Sequence, residues 1–117
     1  MDFRQQRTYK ECLIYAAMNY LKQISEFNSR LEIVNLSARS QALWYCLMWH
    51  YNKAFWRAPL VISESTLRGE LSLTHKQFLA ARKELIDGGF IIHYPKQGKK
   101  PTSYDIVDLS TERAAVV

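Results

Sequence analysis

The residues whose types could carry out chemistry are three histidines and two cysteines, spread along a chain of 117 residues. His50, His75 and His93 fall in different predicted elements, and none has a carboxylate or thiol at a spacing that indicates a catalytic pair. Cys12 and Cys46 each lie inside an apolar helical pattern and form no CxxC-type metal motif. We therefore expect two reduced, buried thiols.

The sequence motifs of common enzyme classes are missing from this chain. It contains no P-loop, no HExxH and no GxSxG. A body of this size would also enclose a substrate only in a cramped cleft. We expect a protein that is not an enzyme and that holds neither a cofactor nor a metal, so its function must be inferred from shape and charge.

Composition and charge narrow the choice of partner. With 48% hydrophobic residues the chain can bury the core of a single domain. Its net charge of +5 favours an anionic partner, meaning nucleic acid or an acidic protein surface. The polar start "MDFRQQRTYK" does not resemble a signal peptide, and no apolar run reaches the roughly 20 residues that span a bilayer. These features predict a cytoplasmic protein without a membrane segment.

Two helices are predicted in the first half of the chain. Residues 8–28 show the apolar spacing of an amphipathic helix, and "EFNSRLEIVN" then breaks the period and is interpreted as a linker. Ser37 is the predicted N-cap of a second helix over residues 38–54, which is apolar nearly all round. Such a helix must be covered on more than one side, either by the first helix of the same chain or by a second subunit.

The high aromatic content, 13%, suggests a surface for self-association. The alternative is simple packing of the two helices within one chain, and the sequence leaves both open. The residues of this hypothetical surface are Leu13, Tyr20, Ile24, Phe27, Trp44 and Trp49.

The second half of the chain begins with a short edge strand near Leu60, after Pro59, and a brief helix capped by Ser63. A further helix over residues 74–89 starts at a T-x-x-Q capping box and should end at a left-handed glycine stop. Helical projection puts four apolar residues on its inner face: Phe78, Leu79, Leu85 and Ile86. The strands "FIIHY" and "SYDIV" follow, separated by the lysine-rich loop "PKQGKKPT".

This order of elements is that of a winged helix-turn-helix. We predict a mainly α fold with a small antiparallel β-hairpin, preceded by an extra N-terminal amphipathic helix. The predicted organisation is an N-terminal helix and linker over residues 1–35, a winged helix-turn-helix domain over 36–109, and a tail over 110–117.

Four segments also resemble one family, the N-terminal domain of DnaD-like replisome organizers of phages and prophages. They are "LSARSQALWYCLMWHYNKAFW", "VISESTLRGELSL", "FLAARKELIDGGFI" and "YDIVDL", and the resemblance covers about residues 36–109. It implies origin DNA binding, primosome assembly and recruitment of a helicase loader. Related organizers generally continue beyond this domain, and the sequence does not show whether a further domain follows residue 117. Ser72 departs from the family, in which a glycine is common in the turn. Because serine tolerates a left-handed backbone poorly, we expect a tighter or differently shaped turn.

The DNA-contacting residues are predicted on the second helix of the motif and on the hairpin. His75, Lys76 and Ala80 would face base edges, since the start of the recognition helix enters the major groove. The predicted phosphate contacts are Lys83 on the helix and Lys96, Lys99 and Lys100 on the hairpin. An ordinary solvated face and a solvated loop explain the same residues.

Three charged residues of that helix have other expected roles. We expect Arg82 to serve as scaffold, with its stem on the core and its guanidinium paired to a carboxylate or carbonyl. Glu84 and Asp87 should repel phosphate, which limits deep entry into the groove to the first two turns.

Three functions therefore stay open. The first is a module that binds duplex or single-stranded DNA in replication initiation, most effectively as a homo-oligomer because linked sites bind more tightly. The second is a protein-interaction module on the same fold, and the third is a winged-helix transcriptional regulator. Spacing alone does not separate replication from transcription, and it reveals neither the target sequence nor the protein partner.

Overall fold

A computed structural model of the chain describes residues 9–109, with side chains described from Tyr20 onward. Its helices and strands follow the predicted order: α1 (Tyr9–Leu31), α2 (Ala38–Lys53), β1 (Leu60–Val61), α3 (Glu64–Leu71), α4 (His75–Asp87), β2 (Ile91–Tyr94) and β3 (Ser103–Ile106). The predicted fold class, mainly α with a small antiparallel sheet, is confirmed. None of the helices within residues 9–109 is long and apolar enough to cross a membrane.

The first helix is longer than predicted, because α1 continues through the segment that we interpreted as the start of a linker. Its second half is tied to the end of the domain. The Gln23 amide donates to the carbonyl oxygen of Val107 at 2.9 Å and accepts from the backbone N–H of Leu109 at 2.7 Å. In the last turn, the Arg30 guanidinium donates to the carbonyl oxygen of Leu109 at 3.0 Å. These contacts, absent from any local sequence pattern, hold the second half of α1 against the residues after β3.

The core lies around α2, which explains why that helix is apolar on nearly every side. Trp44 stacks face to face on Phe27 of α1, with ring centroids 3.8 Å apart, and both side chains are fully buried. Leu43, Leu47 and Met48 are buried as well. The cover predicted for α2 is thus supplied by α1, α3 and α4 of the same chain.

This packing corrects part of the predicted self-association surface. Phe27 and Trp44 are buried inside one chain, so neither is available to a second copy. Tyr20 and Ile24 are half-buried against the core. Trp49 is 53% exposed, with the Lys53 ammonium 4.8 Å from its ring centroid. Leu13 lies outside the residues whose side chains the structure describes.

The helix-turn-helix segment is fixed by the caps that the sequence predicts. Ser63 accepts the backbone N–H of Thr66 at the start of α3. At the start of α4, Thr74 and Gln77 form the capping box, with reciprocal bonds of 3.0 and 3.1 Å. Capping of this kind satisfies backbone donors that have no partner inside the helix.

The turn between α3 and α4 differs from the expectation for Ser72. This residue adopts the left-handed conformation, with φ of 55° and ψ of 44°, so serine occupies the geometry that glycine prefers. At the other end of α4, only one of the two adjacent glycines has the predicted left-handed conformation. Gly89 is left-handed with φ of 78°, whereas Gly88 is right-handed. A Cβ on Gly88 would lie 2.7 Å from the buried Phe90 ring, so close packing accounts for that glycine.

The sheet has the strand order β1-β3-β2, with both pairs antiparallel. Its inner face is closed by Leu60 and Tyr104, which pair across β1 and β3 and are buried. Its outer face presents Val61, Ile92 and Tyr94, which are 59%, 46% and 42% exposed. The sheet therefore buries one side on the helices and leaves an apolar side open to solvent.

Candidate nucleic-acid interface

The helix α4 turns a different face to the core than its projection predicts. Phe78, Ala81 and Leu85 are the buried residues, while Leu79 and Ile86 are 37% and 39% exposed. The small Ala81 is buried because α4 packs closely on α2. The outward face thus mixes apolar residues with the predicted DNA contacts.

His75, at the start of α4, is held by the neighbouring helix α3. Its Nδ1 forms a hydrogen bond with the carboxylate of Glu64, and its side chain is 61% exposed. Desolvation raises the pKa of Glu64, but the hydrogen bond and charge of His75 and the charge of Arg68 outweigh it and hold that pKa below its usual value. Only Nε2 is left for a contact with DNA, and the ionised Glu64 beside it disfavours a nearby phosphate.

Lys76 and Ala80 are exposed on the polar side of α4, as the predicted contact requires. Beside them runs a shallow groove of about 330 Å³ between α4 and the start of α2, lined by Gln77, Ala80 and Arg39. The Arg39 side chain is exposed there and adds a cation next to the face that includes Ala80. Arg39 was not predicted from the sequence, because only the packing of α2 on α4 brings it to this face.

The charged residues at the middle and end of α4 are partly neutralised. Lys83 pairs with Asp87 at 2.9 Å, and both side chains stand in solvent at 76% and 60% exposure. An exposed i,i+4 pair stabilises by only about 0.3–0.5 kcal/mol, so it does not prevent Lys83 from turning to a phosphate. Glu84 is hydrogen-bonded to Ser37 at the start of α2. Of the two acids expected to repel phosphate, Glu84 therefore has an internal role.

Arg82 belongs to the scaffold, as expected, although its partner differs from the predicted one. Its guanidinium donates to the hydroxyl of Tyr104 at 3.2 Å and lies 3.5 Å from the Nε2 of His93. It also lies 5.3 Å from the ring centroid of Phe78. The acceptor of the hydrogen bond from Arg82 is thus a phenol hydroxyl rather than a carboxylate or a carbonyl. This contact joins α4 to the sheet.

The hairpin between β2 and β3 carries the three predicted lysines, Lys96, Lys99 and Lys100, all of them exposed. Its tip is a tight turn in which Gln97 and Lys100 exchange both backbone hydrogen bonds, at 3.1 and 2.9 Å. Gly98 supplies the positive φ of 56° that the first central position of such a turn requires. Residues 95–102 include no acid. The base of this basic hairpin is anchored on α4, because β2 packs against that helix.

A second surface lies on the outer face of the sheet. A groove of about 590 Å³ runs there between the residues before β1 and the hairpin. Val61 and Tyr94 line it together with Pro59, Pro95 and Pro101. The Tyr94 hydroxyl donates to Asp105 at 2.8 Å, so an acid lies on the same face. Lys100 of the hairpin also lines this groove, so the surface combines apolar side chains with one cation and one acid. It was not predicted from the sequence.

Comparison with known proteins adds no relative. The chain matches no protein-family model, no curated protein and no solved structure.

Proposed function

We propose that this chain is a DNA-binding module of replication initiation, which contacts duplex DNA through the start of α4 and through the basic hairpin. The observation that carries the proposal is the pairing of two exposed cationic features. Lys76 is exposed in the first turn of α4, and Arg39 lines the groove along that helix. Lys96, Lys99 and Lys100 stand on a hairpin whose base packs on the same helix. In winged helices the recognition helix enters the major groove and lysines beside it contact phosphates.

The role in replication, rather than transcription, rests on the resemblance to DnaD-like replisome organizers. In that role the module would bind origin DNA, duplex or single-stranded, and join a primosome with a helicase loader. A transcriptional regulator of the same fold would differ by protecting one operator sequence in footprinting and by lacking any effect on helicase loading.

The strength of binding follows from the number of cations. Each neutralised phosphate contributes a slope of about −0.9 to the dependence of log K on log salt. Six cations, with Lys83 included, can therefore give a slope of at most about −5.4, with an affinity in the non-specific range, about 10⁻⁴ to 10⁻⁶ M at physiological salt. The mixed face of α4, with Leu79 and Ile86 exposed, adds little base-specific readout. A single copy should bind weakly and with strong salt dependence.

Self-association is part of the proposal because two linked copies raise the effective affinity without new contacts. Among the described side chains of α1 and α2, from Tyr20 onward, the large exposed apolar ones are Leu21, at 66% exposure, and Trp49, at 53%. Removing residues 1–30 would delete the buried Phe27 and unfold the core, so surface variants are the sharper test. Leu21→Ser and Trp49→Ser should lower the mass measured by sedimentation if these residues join two copies. An unchanged mass would remove them from any interface.

The test of DNA binding is a salt titration with duplex and single-stranded oligonucleotides. Replacing Lys96, Lys99 and Lys100 together with alanine should weaken binding to all sequences and flatten the salt slope by about 2–3 units. Lys76→Ala should flatten it by about one unit. Lys22→Ala is the matched control, since this exposed lysine lies on α1. The proposal fails if the wild-type protein does not bind at low salt, or if the control has the same effect as Lys76→Ala.

The alternative is a protein-interaction module, and one observation favours it. The outer face of the sheet exposes Val61, Ile92 and Tyr94, which a purely DNA-binding domain does not need, and its groove is lined by Val61 and Tyr94. If the salt titration detects no DNA binding, this groove becomes the main candidate surface. Tyr94→Ser and Val61→Ser should then abolish a partner contact while leaving the fold intact.

A further inference from the structure

Three side chains of different chemistry meet between α2 and α3. Cys46 and His50 are four residues apart on α2, which places them on one face of the helix. Glu70 reaches the same point from α3. Its Oε2 lies 3.1 Å from the Sγ of Cys46 and 2.8 Å from the Nε2 of His50, and all three potential ligand atoms lie within 4.8 Å of one another.

This arrangement does not build a nucleophile. The carboxylate of Glu70 is hydrogen-bonded both to the thiol of Cys46 and to the Nε2 of His50. The histidine is therefore not placed to act as a base for the thiol. Burial and the hydrogen bond to Glu70 raise the pKa of Cys46 to about 12. A cysteine nucleophile needs the opposite shift, because the thiolate must be present before the reaction. A metal ligand differs, because the ion itself displaces the proton of the thiol when it binds.

Each of these three groups is by itself a zinc ligand. Thiolate sulfur, imidazole nitrogen and carboxylate oxygen all bind zinc, and three protein ligands leave one position open in a tetrahedral site. Bond lengths of about 2.0–2.3 Å place the nitrogen and oxygen about 3.3 Å apart and the sulfur and oxygen about 3.5 Å apart. The two observed separations to Glu70 are smaller by about half an ångström. The sulfur of Cys46 and the ring nitrogen of His50 lie within 4.8 Å of each other and must close to about 3.5 Å. A small outward shift of Glu70, whose side chain is 43% exposed, opens that space.

The charges balance when a divalent ion binds. The thiol of Cys46 releases its proton to solvent, the imidazole of His50 binds as its neutral form with the proton on Nδ1, and Glu70 contributes a carboxylate. One thiolate and one carboxylate then offset the two positive charges of the ion. Lys53 is the nearby cation whose charge acts on Glu70, and it opposes binding. Its ammonium lies over the Trp49 ring.

The geometry points to a binding site for a zinc-class divalent metal ion formed by Cys46, His50 and Glu70, with one coordination position open to solvent. This ion crosslinks α2 to α3, the helix that leads into the turn before α4. Metal binding therefore stabilises the helix-turn-helix segment. The site stands apart from the proposed DNA contacts, so its test does not depend on them.

The experiment is a titration of tag-free protein, first treated with a chelator and exchanged into metal-free buffer. One equivalent of cobalt(II) should produce a thiolate-to-cobalt charge-transfer band and the visible bands of a tetrahedral ion. Zinc(II) should then displace the cobalt, and the zinc-bound protein should have a higher Tm than the metal-free protein. Cys46→Ser should abolish the charge-transfer band. His50→Gln and Glu70→Gln should weaken cobalt binding by at least about tenfold, since each removes one ligand.

Two matched controls separate this site from other donors in the chain. Cys12→Ser and His75→Gln should leave the cobalt spectrum and the zinc-induced rise in Tm unchanged. Far-UV circular dichroism establishes that each variant is folded, and Glu70→Gln, at an exposed side chain, tests the site even where Cys46→Ser unfolds. The proposal is overturned if stoichiometric cobalt gives no charge-transfer band. It is also overturned if the band persists in Cys46→Ser or disappears in Cys12→Ser.

Discussion

Glu84 of α4 caps the start of α2 through Ser37. One carboxylate oxygen accepts the backbone N–H of Ser37 at 3.0 Å, and the other accepts its hydroxyl, also at 3.0 Å. The positive end of the α2 dipole and its unpaired N–H groups favour a carboxylate at this point. The contact links the helix proposed to enter the groove to the central helix of the core, so it fixes the tilt of α4.

Replacing Glu84 with glutamine should lower the free energy of unfolding at pH 7 by about 1 kcal/mol, because a charge-assisted cap is lost. The backbone N–H of Ser37 is the main reason why the pKa of Glu84 lies below its usual value. A depressed folded pKa means that the stabilisation is present above the unfolded pKa and is lost as pH falls below about 4.5. Urea unfolding at pH 7 and pH 3 checks both effects. Glu32→Gln, at an exposed acid in the turn after α1, is the control. It should change neither the free energy of unfolding at pH 7 nor its decrease between pH 7 and pH 3.

His93 should make the domain less stable in mild acid. Desolvation, together with the charge of Arg82, holds the pKa of His93 below its usual value of 6.5, while its Nε2 contacts the hydroxyl of Thr102 at 2.8 Å. The unfolded chain therefore takes up a proton that the folded chain resists, so stability is full above the unfolded pKa and falls as pH drops below about 6.5. His93→Gln should remove this slope between pH 7 and 5. An unchanged slope in that variant would show that another group titrates there.

Ser72→Gly should stabilise the protein by about 0.5–1 kcal/mol. A residue with a Cβ pays about 1–2 kcal/mol to adopt the left-handed conformation, and glycine removes this cost. Part of the gain is lost, because glycine increases the conformational entropy of the unfolded chain. The same substitution at Ser65, inside α3, should destabilise by about 0.5 kcal/mol because glycine is a poor helix former. Thermal unfolding of the two variants should thus show shifts of opposite sign. A loss of stability in Ser72→Gly would contradict the turn geometry.

Phe27→Ala should destabilise the protein by about 3–5 kcal/mol, since a fully buried ring stacked on Trp44 is removed and a cavity remains. Leu21→Ala on the exposed side of the same helix should change the free energy of unfolding by no more than about 0.5 kcal/mol. The measurement is urea unfolding followed by tryptophan fluorescence. Equal effects of the two substitutions would mean that α1 is not docked as described.

Local sequence patterns predicted where the capped helices begin. The caps at Ser37, Ser63 and Thr74 could be predicted because a cap depends on residues within about one helical turn of itself. The end of α1 could not, because Gln23 and Arg30 are held by backbone groups near Leu109, about 80 positions away in the chain. A helical period that weakens locally is still helical when distant contacts supply the missing stabilisation.

The candidate sites show the same division. The lysines of the hairpin could be selected from sequence, because a basic turn between two strands is exposed wherever the strands lie. Arg39 and Glu70 could not, since each acquires its neighbours only when separate helices pack together. The outward turn of Leu79 and Ile86 was also missed, because the rotation of α4 is set by close packing of Ala81 rather than by the hydrophobic pattern of the helix alone.

The sequence by itself determined the order of helices and strands, the start of each capped helix and the basic character of the hairpin, because propensity, capping and charge act over a few residues. Only the tertiary structure decided which aromatic residues are buried, which acid is held at a helix end and which thiol meets a histidine and a carboxylate. Those outcomes depend on contacts between residues far apart in the chain, and side-chain packing in three dimensions selects them.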